Sequence, residues 1–448
     1  MMERNNDTLR PLPPYYDSPL WYELTGPRRE EPVLKQNKEA DILIVGGGFT
    51  GISCAYELIK RFKDKRVILV DAHMVGSGAS GRNGGLMLNA LASEELLPWE
   101  MEAKLYSFTM ATIKEICEII QRHKIQTSYG LNGTLSIYTN HRFSEMAHEY
   151  AEKMNTFGIP IKYLYSNELK KILPIEGAVG AVLDPYSGHL NGLGFLWGLM
   201  EFLKTNGVEI YEHSPVLKIL EGKELKVIFP HGEIKAKAIM LATNAYTPSL
   251  GYFKREIMAI EHHVAAAKIF GDPGKKFIVS GFDDDRSPLS YGTFLPEGYI
   301  IFGGGTTKSV RYHLGNKLVL KNNHKELLRV KEATKRAFVS YFPKLKDLNF
   351  NYIWSGPIAL TPNRMPLMGV MGEYKNIYYS LGYNGHGVTL ANLGGKVMVD
   401  LYCGNTLQLH ELPFVKTQSK KFLPDPLRYL GFNFYWKLFK KIPRFFIT

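Results

Sequence analysis

A chain of 448 residues, 45% hydrophobic and 12% aromatic, has material for two globular domains or one large interleaved one. Charges or glycines interrupt every apolar stretch well before the roughly eighteen residues a membrane-spanning helix needs, which argues against a span. The formal net charge of +12 asks for an anionic partner: a cofactor phosphate, an acidic substrate, nucleic acid or a lipid surface. The start of the chain, "MMERNNDTLRPLPPYYDSPLWYEL", is polar and proline-rich and lacks the basic flank and apolar centre of a secretory signal. Cys54, Cys117 and Cys403 are an odd set with no CxxC, which points to a reducing, cytoplasmic setting.

Residues 1–38 read as an extended arm punctuated by prolines. "ADILIVGGG" is a short apolar strand closing in glycines, "FTGISCAYELIKRF" has apolar residues at helical spacing, and "RVILVDA" is a second strand closed by an acid. Residues 91–125 predict one or two helices broken near Pro98. "TLSIYT" predicts a strand and "HRFSEMAHEYAEKMNTFG" an amphipathic helix stopped at Gly158. "LGFLWGLMEFLKTNGVEIYEHSPVLKIL" reads as a helix and two strands, followed by the strand "EIKAKAIMLATNAYT". From Ile257 to Asn349 the pattern turns strand-rich, and near Tyr352 the glycine-rich style returns and runs to Gly404. This alternation predicts an α/β chain in which residues 39–100, 186–256 and 350–405 form one discontinuous nucleotide-binding domain. Residues 101–185 and 257–349 form a second domain. Residues 406–448 are a basic, aromatic tail, whose lysines and arginines interleave with Phe, Tyr, Trp and Leu from Lys416 onward. Such a tail either lies on an anionic membrane surface or packs its aromatics back on the protein.

"VGGGFTG" sets Gly46, Gly48 and Gly51 in the G-x-G-x-x-G spacing at a strand-to-helix turn. The first glycine permits the tight turn, the second lets backbone approach a pyrophosphate, and the third lets helix and strand pack closely. The helix start, Phe49 and Thr50, then turns N–H groups and a partial positive charge toward the phosphates. Asp71 lies twenty residues past Gly51, at the end of the second strand, where a carboxylate accepts from ribose hydroxyls, with Ala72 beside it. The fingerprint alone serves NAD or FAD. "GSGASGRNGG", residues 76–85, offers a second backbone-lined surface with Arg82 as a fixed cation, which suits the longer pyrophosphate and ribityl chain of FAD.

"DILIVGGGFTG", "VDAHMVGSGASGRNGG", "LATNAYT", "GYIIFGGG" and "GYNGHGVTLANLGGK" together resemble the D-amino-acid-oxidase-like FAD-dependent oxidoreductases, in particular the branch containing gamma-glutamylputrescine oxidoreductase. The resemblance runs from about Ala40 to Gly404. It implies a glutathione-reductase-type, Rossmann-like FAD domain interleaved with a substrate domain built on a mainly antiparallel mixed sheet. It further implies that Ser80, Arg82, Asn83, Gly84 and Gly85 line the cofactor between pyrophosphate and flavin. Val216 would contact the adenine through its backbone, and Gly385, His386, Gly387, Val388 and Thr389 would open a helix beneath the flavin pyrimidine. A helix N-terminus there stabilises the negative charge that reduction places on the flavin.

The implied reaction is oxidation of an amine C–N bond by hydride transfer to flavin N5, leaving an imine that water hydrolyses, with oxygen as acceptor. No metal is expected, since "EHH" at 261–263 reads as strand-end histidines. Lys308 is the candidate for assisting reoxidation, with Lys268 behind it, and His386 is the candidate to face substrate or flavin. Many relatives carry an arginine two residues after a tyrosine before the "FGGG" strand; here the residues are Tyr291, Gly292 and Thr293, with Arg286 the nearest substitute. Loss of that carboxylate clamp points away from a simple D-amino acid and toward a polyamine derivative or other alkylamine. The flavin is expected to be held non-covalently. Two other readings stand beside this one. One is a flavin dehydrogenase feeding a membrane quinone or carrier protein; the other is an RNA-binding flavoprotein, against which stands the lack of a recognisable RNA-binding module.

Overall fold

The computed structural model of the chain describes residues 18–89, 91, 97–269, 278–318, 324–405, 409–415 and 420–438. Five parallel strands form the centre of the first sheet, in the order Glu209–Tyr211, Val67–Val70, Lys38–Val45, Gly232–Leu241, Ile377–Leu381. Their side chains alternate between two buried faces. Ile42, Ile44, Val67 and Leu69 join a core with the helices Phe49–Arg61, Gly192–Thr205 and Gly387–Tyr402, while Leu43, Val45, Ile68 and Val70 face a second core. Burial on both faces explains why these strands read as continuous apolar runs. That second face is covered by the antiparallel strands Lys218–Leu220 and Leu225–Phe229, which continue from Gly232–Leu241.

The second sheet has nine strands and is antiparallel except where Gly281–Asp284 runs parallel to Thr134–Tyr138. Its longest member, Met258–Lys268, pairs with Tyr299–Gly304 and Val310–Tyr312 on one edge and with Tyr352–Leu360 on the other. Phe282, Phe302, Phe338, Tyr341 and Phe350 pack together on one face of this sheet. The fold is thus α/β, with a Rossmann-like sheet joined to a mainly antiparallel mixed one.

Several elements depart from the sequence reading. The arm is not wholly extended: Leu20–Thr25 is a helix whose Leu20 and Trp21 are completely buried. Tyr352–Leu360, assigned above to the nucleotide-binding domain, pairs within the second sheet, because nine consecutive residues find partners on Met258–Lys268. The strand-rich stretch also hides a helix, His324–Tyr341, which buries Val330, Ala333 and Phe338 under a largely charged outer face. Helix Trp99–Arg122 starts directly after Pro98, as a proline at a helix start permits. The strand Thr134–Tyr138 and the helix His141–Thr156, closed at Gly158 with φ +76°, lie where periodicity placed them.

Candidate functional site

A cavity of about 460 Å³ opens beyond the carboxyl ends of the parallel strands, at Val45, Val70 and Ala242, and is walled on its other side by the second sheet. This is where ligands enter open α/β sheets. The fingerprint turn forms one wall. Gly46 adopts φ +108°, and a Cβ there would stand 2.6 Å from the Ala242 carbonyl oxygen. Gly51 points away from the cavity, and any side chain on it would strike the Gly46 carbonyl, so its role is close packing of helix on strand. Gly48 caps the helix Phe49–Arg61 without a side-chain bond, and the Phe49 N–H donates instead to Ser80 Oγ at 3.0 Å.

Asp71 lies at the next strand end. Its carboxylate accepts from the N–H groups of Gly47 at 2.7 Å and His73 at 2.9 Å. Burial pushes its pKa up to about 6 against the pull of those two donors. Ala72, Ser214, Pro215 and Val216 continue this wall. Behind it, the fully buried Glu212 accepts a bidentate pair from Arg28 and the N–H groups of Glu31 and Val75, tying the arm to the sheet.

The loop around Arg82 forms the next wall. Three consecutive carbonyls are held from outside it: Trp354 Nε1 donates to Arg82 at 2.9 Å, Trp21 Nε1 to Asn83 at 2.8 Å, and Thr293 Oγ1 to Gly84 at 2.6 Å. In a planar trans peptide the N–H points opposite its carbonyl, so the N–H groups of Asn83 and Gly84 are turned away from these donors. Arg82 is itself buried and its Nε donates to the Ser355 carbonyl, which bolts the loop to the second sheet.

The glycine-rich stretch at 385–387 closes the cavity from the first sheet. Gly385, His386, Gly387 and Val388 line it, and His386 is the N-cap of Gly387–Tyr402 with no side-chain capping bond. Thr389 is buried behind this wall, and no protein partner for its Oγ1 occurs among the described residues. The two glycine motifs are locked together. Thr50 Oγ1 lies 2.7 Å from the Tyr383 hydroxyl, and a Cβ on Gly395 would come within 2.6 Å of the Cys54 nitrogen.

The second sheet supplies what the sequence reading did not single out as site residues. Asp283, Tyr291, Gly303 and Val264 are successive cross-strand partners, and all but Gly303 line the cavity. Gly303 makes room: a Cβ there would fall 2.5 Å from the Tyr291 hydroxyl oxygen, and one on Gly84 would fall 2.5 Å from the ring's far edge. His262, two residues before Val264 on the same face, stacks on Tyr291 with ring centroids 5.8 Å apart and Nδ1 3.4 Å from its hydroxyl. Burial, helped by His263, pushes His262 down to about 4, so it is neutral at physiological pH.

Three candidate cations fall elsewhere. Lys308 sits exposed on the 3₁₀ turn Thr307–Ser309 and does not line the cavity. Lys268 is exposed at the far end of its strand, over the ring of Tyr299 at 5.4 Å. Arg286 stacks on Tyr341 at 3.9 Å and donates to the Glu176 carbonyl, so it offers no clamp. Among the described residues Arg82 is the one lysine or arginine on the cavity wall.

Residues 41–401 match the family described as FAD dependent oxidoreductase, DAO. The chain belongs to this family. Over 90% of its length it is 28% identical to gamma-glutamylputrescine oxidoreductase of Escherichia coli K12, covering 93% of that protein. It is 26% identical to the probable oxidoreductase OrdL of Haemophilus influenzae, covering 90% of this chain and 93% of the relative. The fold is that of glycine oxidase from Geobacillus kaustophilus, with a TM-score of 0.72 at 18% identity over 85% of this chain and 99% of the other. L-proline dehydrogenase from P. horikoshii follows at 0.69 and 22%, over 84% and 96%.

As a DAO-family enzyme the chain is an FAD-dependent oxidoreductase. The cavity fits that cofactor chemically. It has two helix starts without side-chain caps, glycines at 46 and 48 where a Cβ would strike backbone or Ser80, and a carboxylate at the strand end. Among the described residues no cysteine lines the cavity: Cys54 and Cys117 are buried elsewhere and Cys403 is exposed.

Proposed function

We propose that this DAO-family enzyme oxidises the C–N bond of an alkylamine or polyamine derivative whose remote end is cationic or neutral rather than carboxylate. The observation that carries this reading is the charge on the second-sheet wall. Arg82, the cavity's one lysine or arginine among the described residues, belongs to the glycine-rich loop on the cofactor side and donates through Nε to the Ser355 carbonyl, while Asp283 brings a carboxylate to the wall one strand beyond Tyr291. Similarity to gamma-glutamylputrescine oxidoreductase supports an amine C–N bond as the point of oxidation.

In this reading Gly46, Gly48, Phe49, Thr50 and Ser80 hold the pyrophosphate, Asp71 and Ala72 the ribose, and Val216 the adenine side. Arg82, Asn83, Gly84 and Gly85 would flank the ribityl chain, and Gly385, His386, Gly387 and Val388 would hold the flavin pyrimidine end. Gly51 and Thr389 act from behind the wall, one through packing and the other as a buried hydroxyl at the helix start. Bound there, FAD would supply the two-electron acceptor for oxidation of the carbon beside the amine nitrogen. Tyr291, wedged between Gly84 and Gly303, covers that reaction zone. Neutral His262 fixes the tyrosine hydroxyl and keeps a second cation from competing with the substrate's own. Oxygen is the proposed acceptor, and neither Lys308 nor Lys268 lines the cavity to assist it.

Anaerobic mixing with a panel of diamines, N-acylated diamines and D-amino acids tests this. Bleaching of the flavin's visible band by amines alone supports the reading, and bleaching by D-amino acids in preference to them refutes it. Stoichiometric peroxide on admitting air supports oxygen as acceptor; turnover only with an artificial acceptor assigns the chain to dehydrogenases instead.

A further inference from the structure

The C-terminal helix Leu427–Leu438 has two apolar faces, and among the described residues only one packs on the rest of the protein. The inner face is fixed in detail. Tyr429 and Phe432 pack on Tyr312 with ring centroids 6.2 and 5.6 Å apart, and Phe432 stacks on Trp436, whose Nε1 donates to the Thr307 carbonyl at 2.8 Å. Arg428 is buried, bonded to Asp425 at 2.7 Å and to the carbonyls of Lys254 and Ile257. Asp425 also accepts from Tyr312 and from the Gly315 N–H at 3.0 Å. The helix is therefore held rigidly in one rotational setting on the second sheet.

That setting turns the other face outward. Leu427, Leu430 and Phe434 follow one another at i, i+3 and i+7, with relative exposures of 55, 59 and 64%, and Leu423 just upstream is 62% exposed. Single exposed leucines are ordinary; three large apolar side chains aligned on a firmly anchored helix, with a fourth just upstream, are not. The sequence around this row names the partner by charge. From Lys416 to Thr448 there are eight lysines and arginines and a single acid, Asp425, which Arg428 already pairs with. Among the described residues no helix is long and apolar enough to cross a membrane.

We propose that the Leu423–Phe434 row docks on the surface of an anionic lipid bilayer, its apolar side chains entering the headgroup boundary while the flanking lysines neutralise the lipid charge. An in-plane helix of this kind needs an apolar stripe, a basic surround and a fixed orientation, and all three occur here. A second copy of this chain is a poorer occupant, because two such tails, eight basic residues less one acid, would bring a net seven positive charges against seven.

Sedimentation of the full-length holoenzyme with sucrose-loaded vesicles tests this. Expected is capture by phosphatidylcholine–phosphatidylserine vesicles, at least about tenfold weaker capture by pure phosphatidylcholine, and loss of most binding at high salt. The double variant Leu430→Gln/Phe434→Gln alters only exposed positions. It should lower capture by at least about tenfold with flavin content and amine turnover unchanged. The proposal is overturned if the native enzyme stays in the supernatant with anionic vesicles or binds neutral ones equally well. It is also overturned if the double variant binds as well as native enzyme, or if ultracentrifugation finds a dimer that this variant dissociates.

Discussion

Gly48→Ala separates two demands that the fingerprint turn places on one position. Gly48 has φ −83° and ψ −170°, extended backbone that alanine adopts freely, so no backbone strain enters. The added Cβ would stand 2.8 Å from Ser80 Oγ, the atom that accepts from the Phe49 N–H. The hydroxyl must rotate away, losing a hydrogen bond of about 1 kcal/mol and adding overpacking of about 1–3 kcal/mol. The apoprotein should therefore lose about 2–4 kcal/mol in urea unfolding. Ser80→Ala removes the offending oxygen, and the nearest remaining Ser80 atom, Cβ, would be 3.8 Å from the new methyl, an ordinary contact. In the Ser80→Ala background Gly48→Ala should then cost under about 0.5 kcal/mol of apoprotein stability. FAD affinity should behave differently. The methyl still stands between backbone and pyrophosphate, so the double variant should bind FAD at least about thirtyfold more weakly than Ser80→Ala alone, since about 2 kcal/mol corresponds to that factor. Fluorescence titration of apoprotein with FAD measures it. Equal FAD affinity in Ser80→Ala and the double variant would refute the close approach of a phosphate to Gly48, and an unrelieved stability loss would refute the Ser80 clash.

Other outcomes follow from the same geometry. Asp71, the proposed carboxylate partner of the ribose hydroxyls, has a pKa raised to about 6 by burial, so FAD affinity should fall about tenfold between pH 7 and pH 5. Asp71→Asn should bind weakly and lose that pH dependence. In the apoprotein the sign is opposite: the raised pKa favours the fold at low pH, and this contribution is lost as pH rises from about 4 through 6. Glu212→Gln leaves Arg28 without its buried partner and should cost about 3–5 kcal/mol in urea unfolding. Asp283→Asn should raise KM for a cationic amine at least about tenfold while changing kcat little, because it removes remote binding and not the reacting geometry. His262, already neutral with its pKa pushed down to about 4, should contribute no ionisation to kcat/KM between about pH 5.5 and 8.5, and His262→Gln should leave the limbs of the profile where they are.

The first-sheet half of the site was legible because its chemistry is local. Gly46, Gly48, Gly51 and Asp71 are spaced along one strand–helix–strand unit, and each type answers a positive φ, a close approach or a strand end. The second-sheet half is built by register between distant strands. Asp283 meets Tyr291 and Tyr291 meets Gly303 only once three strands pair, so "FDDDR", "SYGTF" and "IIFGG" carry no mutual signal in sequence. The same limit misplaced Lys308, which follows the strand Tyr299–Gly304 but turns out onto the surface. It also hid the burial of His262, whose neighbours on both sides come from strands separated from it by dozens of residues. His324–Tyr341 escaped notice because its lysines, arginines and glutamates outnumber the few apolar residues it buries. The carbonyl bolts from Trp21, Trp354 and Thr293 to the Arg82 loop had no spacing to betray them, since each donor lies on a different element.

The account rests on one cavity between two sheets holding one dinucleotide along its whole length. Titration of the apoprotein with FAD and with FMN, followed by acid precipitation of the complex, tests this most directly. The account predicts about one FAD per chain, released quantitatively into the acid supernatant, and FMN binding weaker by at least about a hundredfold, because FMN forgoes Asp71, Val216 and the fingerprint turn. A protein that takes up no FAD, keeps its colour in the pellet, or binds FMN equally well would contradict it.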